Sequence, residues 1–484
     1  MTRKVLFLSL ALSVALSAAS VVPAFSVPRS HAAQVPAEDA KNRIQEAFDL
    51  LYQLHLSAPS KDKLAEAAIR GMVESLNDPY TVYWTKEEYR RFLESLNGQY
   101  VGLGIVIEND GGRVRVSEVM PGRPGEAAGL RAGDLIVSID GKSVDFEHFD
   151  EVRASWKAGQ KVRIGVERGG ARLELEAVLA EVELPRVTGS RVADGIGYVR
   201  LTSFAEKTDE QLREKLAELG NLRALVLDLR GNTGGLLSSA GDVASRFVGS
   251  GVLLYTRDQS GVEEKVEFSG VRAFAGRLIV LVDEQTASAA EILAGALQDY
   301  GAARVVGVRT YGKGVVQQIY PLGSGDAYLK ITVEEYLTPK HRQVNGRGIQ
   351  PDLVVVGEGA QLATALREAG VESLRLEASE GVCRIMGLDC GGPAPIVREG
   401  RTYVPLRTLA ALVGATVTWI GETRTARVVS GGVTVDFAAG GELRLENGVG
   451  YADVETFLRK FSGVKWLRTP DGAYEVTAPL SSRP

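Results

Sequence analysis

Leu278–Gln318 reads LIVLVDEQTASAAEILAGALQDYGAARVVGVRTYGKGVVQQ, and its texture changes within a dozen residues. The opening apolar run, Leu278 to Val282, has the length and branching of a buried strand. From Ala289 onward, Ala290, Leu293, Ala296, Leu297 and Tyr300 recur at helical spacing. A strand therefore ends and a helix begins around Ser288. The first N–H groups of a helix lack intrahelical partners and carry the positive end of its dipole, so an oxyanion developing beside Ser288 would be stabilised there.

A serine hydroxyl is a weak nucleophile at its own pKa and needs a base within hydrogen-bond reach. The four histidines, His31, His55, His148 and His341, all lie outside this stretch. Lys313 can serve if burial leaves its amine partly neutral near pH 7. Its neighbours Gly312, Gly314, Val315 and Val316 suit a close-packed, weakly solvated setting. Other readings of the same residues stand beside this one. Ser288-Ala-Ala-Glu291 is a capping box, in which the serine only satisfies the helix start. A lysine between glycines also suits an exposed turn. Gly307–Gly314 nearly matches a phosphate-binding loop, but no Ser or Thr follows Lys313, and VVQQIYPL alternates like a strand.

The segments VDEQTASAAEILAGALQDYG and TYGKGVVQQ resemble the core of the carboxy-terminal processing peptidases, the tail-specific serine proteases. The resemblance implies Ser288 as nucleophile, Lys313 as general base and Gln317 as the amide that orients the lysine. An uncharged amide suits that third role, because a carboxylate would hold the lysine protonated.

The composition is that of an ordinary globular protein. Of 484 residues, 45% are hydrophobic, and 56 Lys plus Arg face 61 Asp plus Glu, a net charge of -5. The length suggests about three domains, and nucleic acid is not expected as a partner without a basic face. In residues 1–33, Arg3 and Lys4 precede an uncharged apolar run from Val5 to Val22, with small residues after it. This is the pattern of an export signal, with an uncleaved membrane anchor as the second reading. The only cysteines, Cys383 and Cys390, fit neither a redox nor a zinc spacing; an oxidising compartment favours a local disulfide over two free thiols.

Residues 34–97 read as helical. Ala40, Ile44, Ala47, Phe48, Leu51 and Leu54 form one stripe, Leu64, Ala67, Ala68, Met72, Val73 and Leu76 another, and Asn77-Asp-Pro79 breaks the second helix. In the peptidases resembled, a similar segment with its DPYT packs on the protease or pairs subunits, so a homodimer is expected.

Residues 98–183 turn to short strands and glycine turns. YVGLGIVIE and VSEVMPGRPGEAAGLRAGDLIVSIDGKSV resemble a PDZ domain. That resemblance implies a loop of Gly102, Leu103, Gly104 and Ile105 whose N–H groups hold a peptide's terminal carboxylate. Leu103, Ile105 and Ile107 would floor a pocket for an apolar final residue. Arg168 matches a position that in some relatives links PDZ occupancy to activity.

Residues 184–357 read as an α/β, crotonase-like protease core, with strands Gly195–Leu201 and Ala224–Leu229 around the helix Glu206–Leu219. In Asp228–Gly235, DLRGNTGG, the resemblance implies an oxyanion hole formed by Gly234 or Gly235 with the amide of Ala289. Thr233, Thr286, Ala290 and Tyr311 depart from the usual pattern, none at a position with an assigned chemical role. Residues 358–484, with EGRTYVPLRTLAALVGATVTWIGETRTARVV, resemble the small α+β domain named after the amino-terminal part of copper amine oxidases, a stalk or surface module. Copper is not expected, because no histidine lies beyond His341. A cell-wall or surface partner and a plain spacer are equal readings of this domain.

Together these readings describe an exported serine endopeptidase, without metal or other cofactor, acting on proteins or peptides with apolar carboxy termini. The alternatives are a catalytically silent PDZ scaffold or adaptor at the cell surface and a crotonase-like acyl-CoA enzyme.

Overall fold

The computed structural model describes residues 37–96, 99–153, 155–183 and 186–478; the export segment lies outside them. Among the described residues, no helix is long and apolar enough to cross a membrane.

The α/β core is built on a six-stranded sheet. Its order is Val187–Ala193, Ile196–Leu201, Ala224–Asp228, Arg277–Val282, Ala303–Gly307 and Leu353–Val354. Only the first pair is antiparallel. The central strands read as unbroken apolar runs because both faces are covered. Leu225, Leu227, Leu278, Val280 and Val282 pack under the helices Leu237–Val248 and Ala289–Asp299. Ala224, Val226, Ile279 and Leu281 face the opposite layer, which holds Leu362, Ala363 and Leu366 of the helix Glu358–Glu368.

That second layer continues without a break into the C-terminal region. Leu409 and Leu412, from the helix Leu406–Leu412, belong to the same apolar cluster as the sheet and Leu366. The Arg367 guanidinium donates to the carbonyls of Leu412 (3.2 Å) and Ala478 (2.8 Å), clasping the two parts. The boundary drawn at 358 therefore cuts a shared core rather than a linker. Sequence pattern conceals this, because one small-residue helix covers two bodies at once. Cys383 and Cys390 are joined by a disulfide with Cα atoms 5.4 Å apart. Cys390 lies against the first turn of Glu358–Glu368, where a Cβ on Gly359 would come within 3.3 Å of its own Cβ.

The N-terminal segment is not purely helical. Between the helices Lys61–Glu74 and Lys86–Leu96, Val82–Thr85 forms a strand antiparallel to Ala327–Leu337. The quartet VYWT is β-branched and aromatic, the composition that suits a pleated, half-buried surface. Trp84 then stacks on Phe92 with ring centroids 4.3 Å apart. The segment is thereby sewn into the sheet that also holds Val315–Leu322, the strand following Lys313.

The PDZ-like unit is a six-stranded sheet around Val114, Val116, Ile136, Ile164 and Val166. It joins the body through a ribbon in which Gln99–Gly102 pairs with Ala180–Glu183.

Candidate active site

Ser288 stands where the strand-to-helix transition was expected, immediately before the helix Ala289–Asp299; the capping box with Glu291 is present, but the backbone of its serine is unlike that of an ordinary helix cap. At Ser60, which caps Lys61–Glu74, φ is -70° and ψ 154°, and the hydroxyl accepts from Lys63 N–H. At Ser288, φ is 55° and ψ -119°. A non-glycine residue held there carries roughly 1–3 kcal/mol of strain, which persists only where surroundings over-determine it. The same sharp strand-to-helix turn is how a nucleophilic serine is presented elsewhere.

Glu291 does the over-determining. Its carboxylate accepts from the N–H of Ser288 (2.9 Å), Gly312 (2.7 Å) and Lys313 (2.8 Å) and from the Thr310 hydroxyl (2.5 Å). Burial pushes this carboxyl up, against the pull of those four hydrogen bonds. The helix start and the lysine loop thus share one acceptor. Gly314 lets the loop close on its support, since a Cβ there would meet Asn345 N at 2.1 Å.

Lys313 is completely buried, and its Nζ has no hydrogen-bond partner among the described residues. It lies 4.5 Å from the centroid of the Tyr80 ring. Burial, and then the neighbouring Lys330 cation, bring its pKa down from 10.5 to about 7; Asp78 and Glu291 oppose this. A neutral amine is therefore well populated near pH 7, as a general base requires. Gln317 occupies the strand Val315–Leu322; its Nε2 is 3.5 Å from Thr332 Oγ1 and its buried Oε1 has no partner. No hydrogen bond joins Gln317 to Lys313 here.

The glycine-rich loop abuts the serine. A Cβ on Gly234 would meet Ser288 Cβ at 2.9 Å and Ala289 N at 3.0 Å. The Gly234 N–H is already engaged by Asn232 Oδ1 at 2.8 Å, so Gly235 and Ala289 remain as the expected oxyanion donors. Asn232 also donates to Leu201 O (2.9 Å) and accepts from Ala287 N–H on its own carbonyl (3.0 Å). Thr286, one of the departures from the usual pattern, has its hydroxyl within donating distance of Leu229 O (3.0 Å), while its backbone N–H donates to Asp283 Oδ1 (2.9 Å). Asp283 in turn accepts from Gly231 N–H at 3.0 Å, so loop and serine segment are knit together.

In the PDZ-like unit, the Leu103 carbonyl accepts from Gly125 N–H (2.6 Å) and the Gly104 carbonyl from Met120 N–H (2.9 Å). Leu103 is 2% exposed and belongs to the domain core. Of the expected pocket floor, only the half-buried Ile105 and Ile107 offer surface to a ligand. Arg168 is far from idle: Nε donates to Asp134 Oδ1 (2.6 Å), and Nη2 to Asp134 Oδ2 (2.8 Å) and Gly129 O (2.7 Å). These partners are all inside the PDZ-like unit, so Arg168 is not brought to Ser288 or Lys313. Among the described residues, no three His, Cys, Asp or Glu side chains gather as a metal site.

Comparison with known proteins follows the same division of the chain. A model described as peptidase family S41 matches residues 195–355, and a PDZ domain model matches 115–168. Residues 14–88 match the activating protease CtpB N-terminal domain, and 392–460 the copper amine oxidase N-terminal domain. Carboxy-terminal processing protease CtpB of Bacillus subtilis is 31% identical over 348 residues, covering 68% of this chain and 71% of that protein. The chain belongs to peptidase family S41.

A "Probable CtpA-like serine protease" of Staphylococcus aureus is 33% identical over 321 residues, 65% of this chain and 64% of that protein, just under two thirds of its length. The photosystem II D1 C-terminal processing protease matches over 64% of this chain and 92% of its own, at 30% identity and a TM-score of 0.40. Within this S41 peptidase, sequence reasoning missed Asp78, Tyr80, Asn232 and Lys330, and it treated Glu291 only as half of a helix cap. Lys330 carried no signal of its burial: in the strand AYLKITVEEYL it alternates with Leu329, Ile331 and Val333 and shares its face with Thr332 and Glu334, and it is Trp84 and Phe92 of the distant N-terminal segment that cover it.

Proposed function

We propose that this S41 peptidase is an exported endopeptidase that takes hold of a substrate's apolar carboxy terminus with its PDZ domain and hydrolyses a peptide bond with Ser288 and Lys313. The observation that carries the reading is a strained serine, φ 55°, tied through one carboxylate to a buried lysine whose Nζ lacks a hydrogen-bond partner.

The neutral Lys313 amine takes the proton from Ser288 Oγ as that oxygen bonds to the substrate carbonyl carbon. Negative charge on the carbonyl oxygen faces the N–H groups of Gly235 and Ala289 and the positive end of the helix Ala289–Asp299. The C–N bond breaks as Lys313 returns its proton to the departing amine, leaving an acyl-serine. Water then attacks that ester, giving its proton to Lys313, and Ser288 is restored when the proton passes back to Oγ. Gln317 Oε1, buried and without a partner in the resting structure, is the acceptor to which the ammonium form of the lysine turns during these transfers.

Export through residues 1–33 is part of this reading, supported by the charged-then-apolar pattern of Arg3 to Val22. So is a homodimer, supported by Ile44, Leu50, Leu51, Tyr52 and Leu54, which stand exposed along Ala37–Leu54. A surface or cell-wall partner for residues 358–484 rests on the resemblance to a surface module alone.

The test is mass spectrometry of a loosely folded protein with an apolar carboxy terminus after incubation with the parent, Ser288→Ala and Lys313→Ala. Cleavage by the parent alone is expected. Equal cleavage by all three would remove the dyad, and binding without cleavage by all three would favour a scaffold.

A further inference from the structure

A second lysine is buried within the same region and has no part in the proton transfers just described. Lys330 is 2% exposed, in the middle of the strand Ala327–Leu337, opposite Ile319 on one side and Val82 on the other. Its Nζ lies 5.0 Å from the ring centroid of Trp84 and 6.0 Å from that of Phe92, both on the N-terminal segment. Alternation along the strand puts Lys330 on the same face as Thr332, and Thr332 stands opposite Gln317. That face meets the turn Asp78–Thr81, where Thr332 N–H donates to Thr81 Oγ1 (3.1 Å) and Thr81 Oγ1 donates to Asp78 (2.6 Å). The other wall of the same turn is Tyr80, whose ring covers Lys313 Nζ.

We propose that Lys330 is a positioning residue of the dyad: its ammonium, held against Trp84 and Phe92, is a fixed like charge that opposes protonation of Lys313. The inference rests on the reading of Ser288 and Lys313 as that dyad. Desolvation alone disfavours a lysine cation, and a second cation in the same weakly polar region disfavours it further. The rings supply what the second cation needs to stay charged, a quadrupole in place of water. Other charged or titratable groups face Lys313 from each packed element. Asp78 and Tyr80 come from the N-terminal turn and Glu291 from the helix; behind them stand Tyr336, on the strand of Lys330 and near Tyr80 and Glu291, and Tyr311, on the lysine's own loop and bonded to Tyr80. Asp78 and Glu291 favour the Lys313 cation, so Lys330 is the charge among them that acts against it. Lys330 itself is brought down to about 8 by burial, with Asp78 opposing, and so remains mostly charged at pH 7.

A purely structural lysine would be a poor choice at this position. Replacing a buried charge with an apolar side chain of similar volume is often neutral or stabilising for a fold. The N-terminal strand, through Trp84 and Tyr80, thereby becomes part of the electrostatics of the active site and not only its cover.

The experiment is the pH dependence of acylation of Ser288 by a fluorophosphonate probe, on the full chain, for the parent, Lys330→Met, Lys330→Arg and Asp78→Asn. The probe needs no PDZ engagement, and Ser288→Ala is the blank. For Lys330→Met the acid limb should move upward by about half to one pH unit, with the plateau rate at high pH within about twofold of the parent. Lys330→Arg, permanently charged, should leave the limb in place or lower it, and Asp78→Asn should lower it. If Lys330→Met does not fold, Lys330→Gln, neutral but polar, takes its place, with the same upward shift expected. A limb left unmoved by neutralising Lys330 in a folded variant, whatever the fall in rate, overturns the inference. An unlabelled parent would instead overturn the dyad itself.

Discussion

The backbone N–H groups of Ser288 and Lys313 donate to the same oxygen, Oε2 of Glu291, at 2.9 and 2.8 Å. Two residues 25 positions apart in the chain are thus set in register by a third residue that belongs to the helix between them. The other oxygen, Oε1, holds Thr310 and Gly312 of the lysine loop. Glu291→Gln keeps the volume but turns one acceptor into a donor, so about half of these bonds fail. Ser288 acylation should fall by roughly 10- to 100-fold, consistent with the sensitivity of such constellations to small misplacements. Labelling rate read beside a circular-dichroism melt separates this from unfolding; an unchanged rate in a folded variant would remove Glu291 from the positioning role.

Titration of Lys313 couples activity and stability to pH. Its folded-state pKa of about 7 lies below its ordinary 10.5. Between those values the unfolded chain binds the proton and the folded chain does not, so this group makes stability rise with pH across that window. The stability it contributes is fully present above the unfolded value and is lost as pH falls towards about 7. Lys330, at about 8, acts in the same direction over a narrower window. Lys313→Met should therefore be inactive yet more stable than the parent near pH 7, and the difference should shrink towards pH 10. Urea denaturation at a series of pH values checks this, and a constant difference would contradict it.

Gly234 has no room for a side chain. A Cβ there would lie 2.9 Å from Ser288 Cβ and 3.0 Å from Ala289 N, and its φ of 106° is unfavourable to any L residue. Gly234→Ala should cost on the order of 10²- to 10³-fold in acylation, the scale of losing an oxyanion donor. Binding of an apolar-ended peptide to the PDZ domain should stay as it is. Fluorescence polarisation of that peptide, run beside probe labelling, distinguishes local damage from general collapse.

The C-terminal region should prove inseparable from the peptidase core. Removing residues 358–484 would uncover Val226, Ile279 and Leu281 on one face of the central sheet. Insoluble or unfolded protein is expected, whereas a tethered stalk would leave a folded, active remainder. A milder probe is Leu366→Ala at a fully buried site, for which chemical denaturation should read a loss of about 2–5 kcal/mol.

Arg168 and Asp134 form an ion pair whose carboxylate side is almost wholly buried, at 1% exposure. Arg168→Ala strands that carboxylate, at a cost of about 3–5 kcal/mol. Loss of PDZ stability in a melting curve should therefore accompany any change in activity. A folded domain of unaltered stability with altered activity would instead point to a signalling role.

What the chain declared by itself is what depends on neighbours in sequence. The strand-to-helix switch at Ser288, the glycine turns at Asp228–Gly235 and Gly312–Gly314, and the PDZ pattern are all local periodicities or turn chemistry, and their residue types limit the backbone directly. Assigning Ser288 and Lys313 to one site needed the family resemblance, because spacing alone also allowed a helix cap and a turn lysine. The capping box of Ser288 and Glu291 shows the limit most clearly: the motif is legible and is present in the structure, but the φ of 55° at its serine is imposed only by contacts across the fold. The strand Val82–Thr85 was hidden for the same reason, since its partner, Ala327–Leu337, lies some 245 residues away. Tertiary structure alone brought Tyr80, Asp78 and Lys330 around Lys313. Burial and electrostatic fields act through space, and the sequence carries no local mark of which distant side chains will exclude water from an amine.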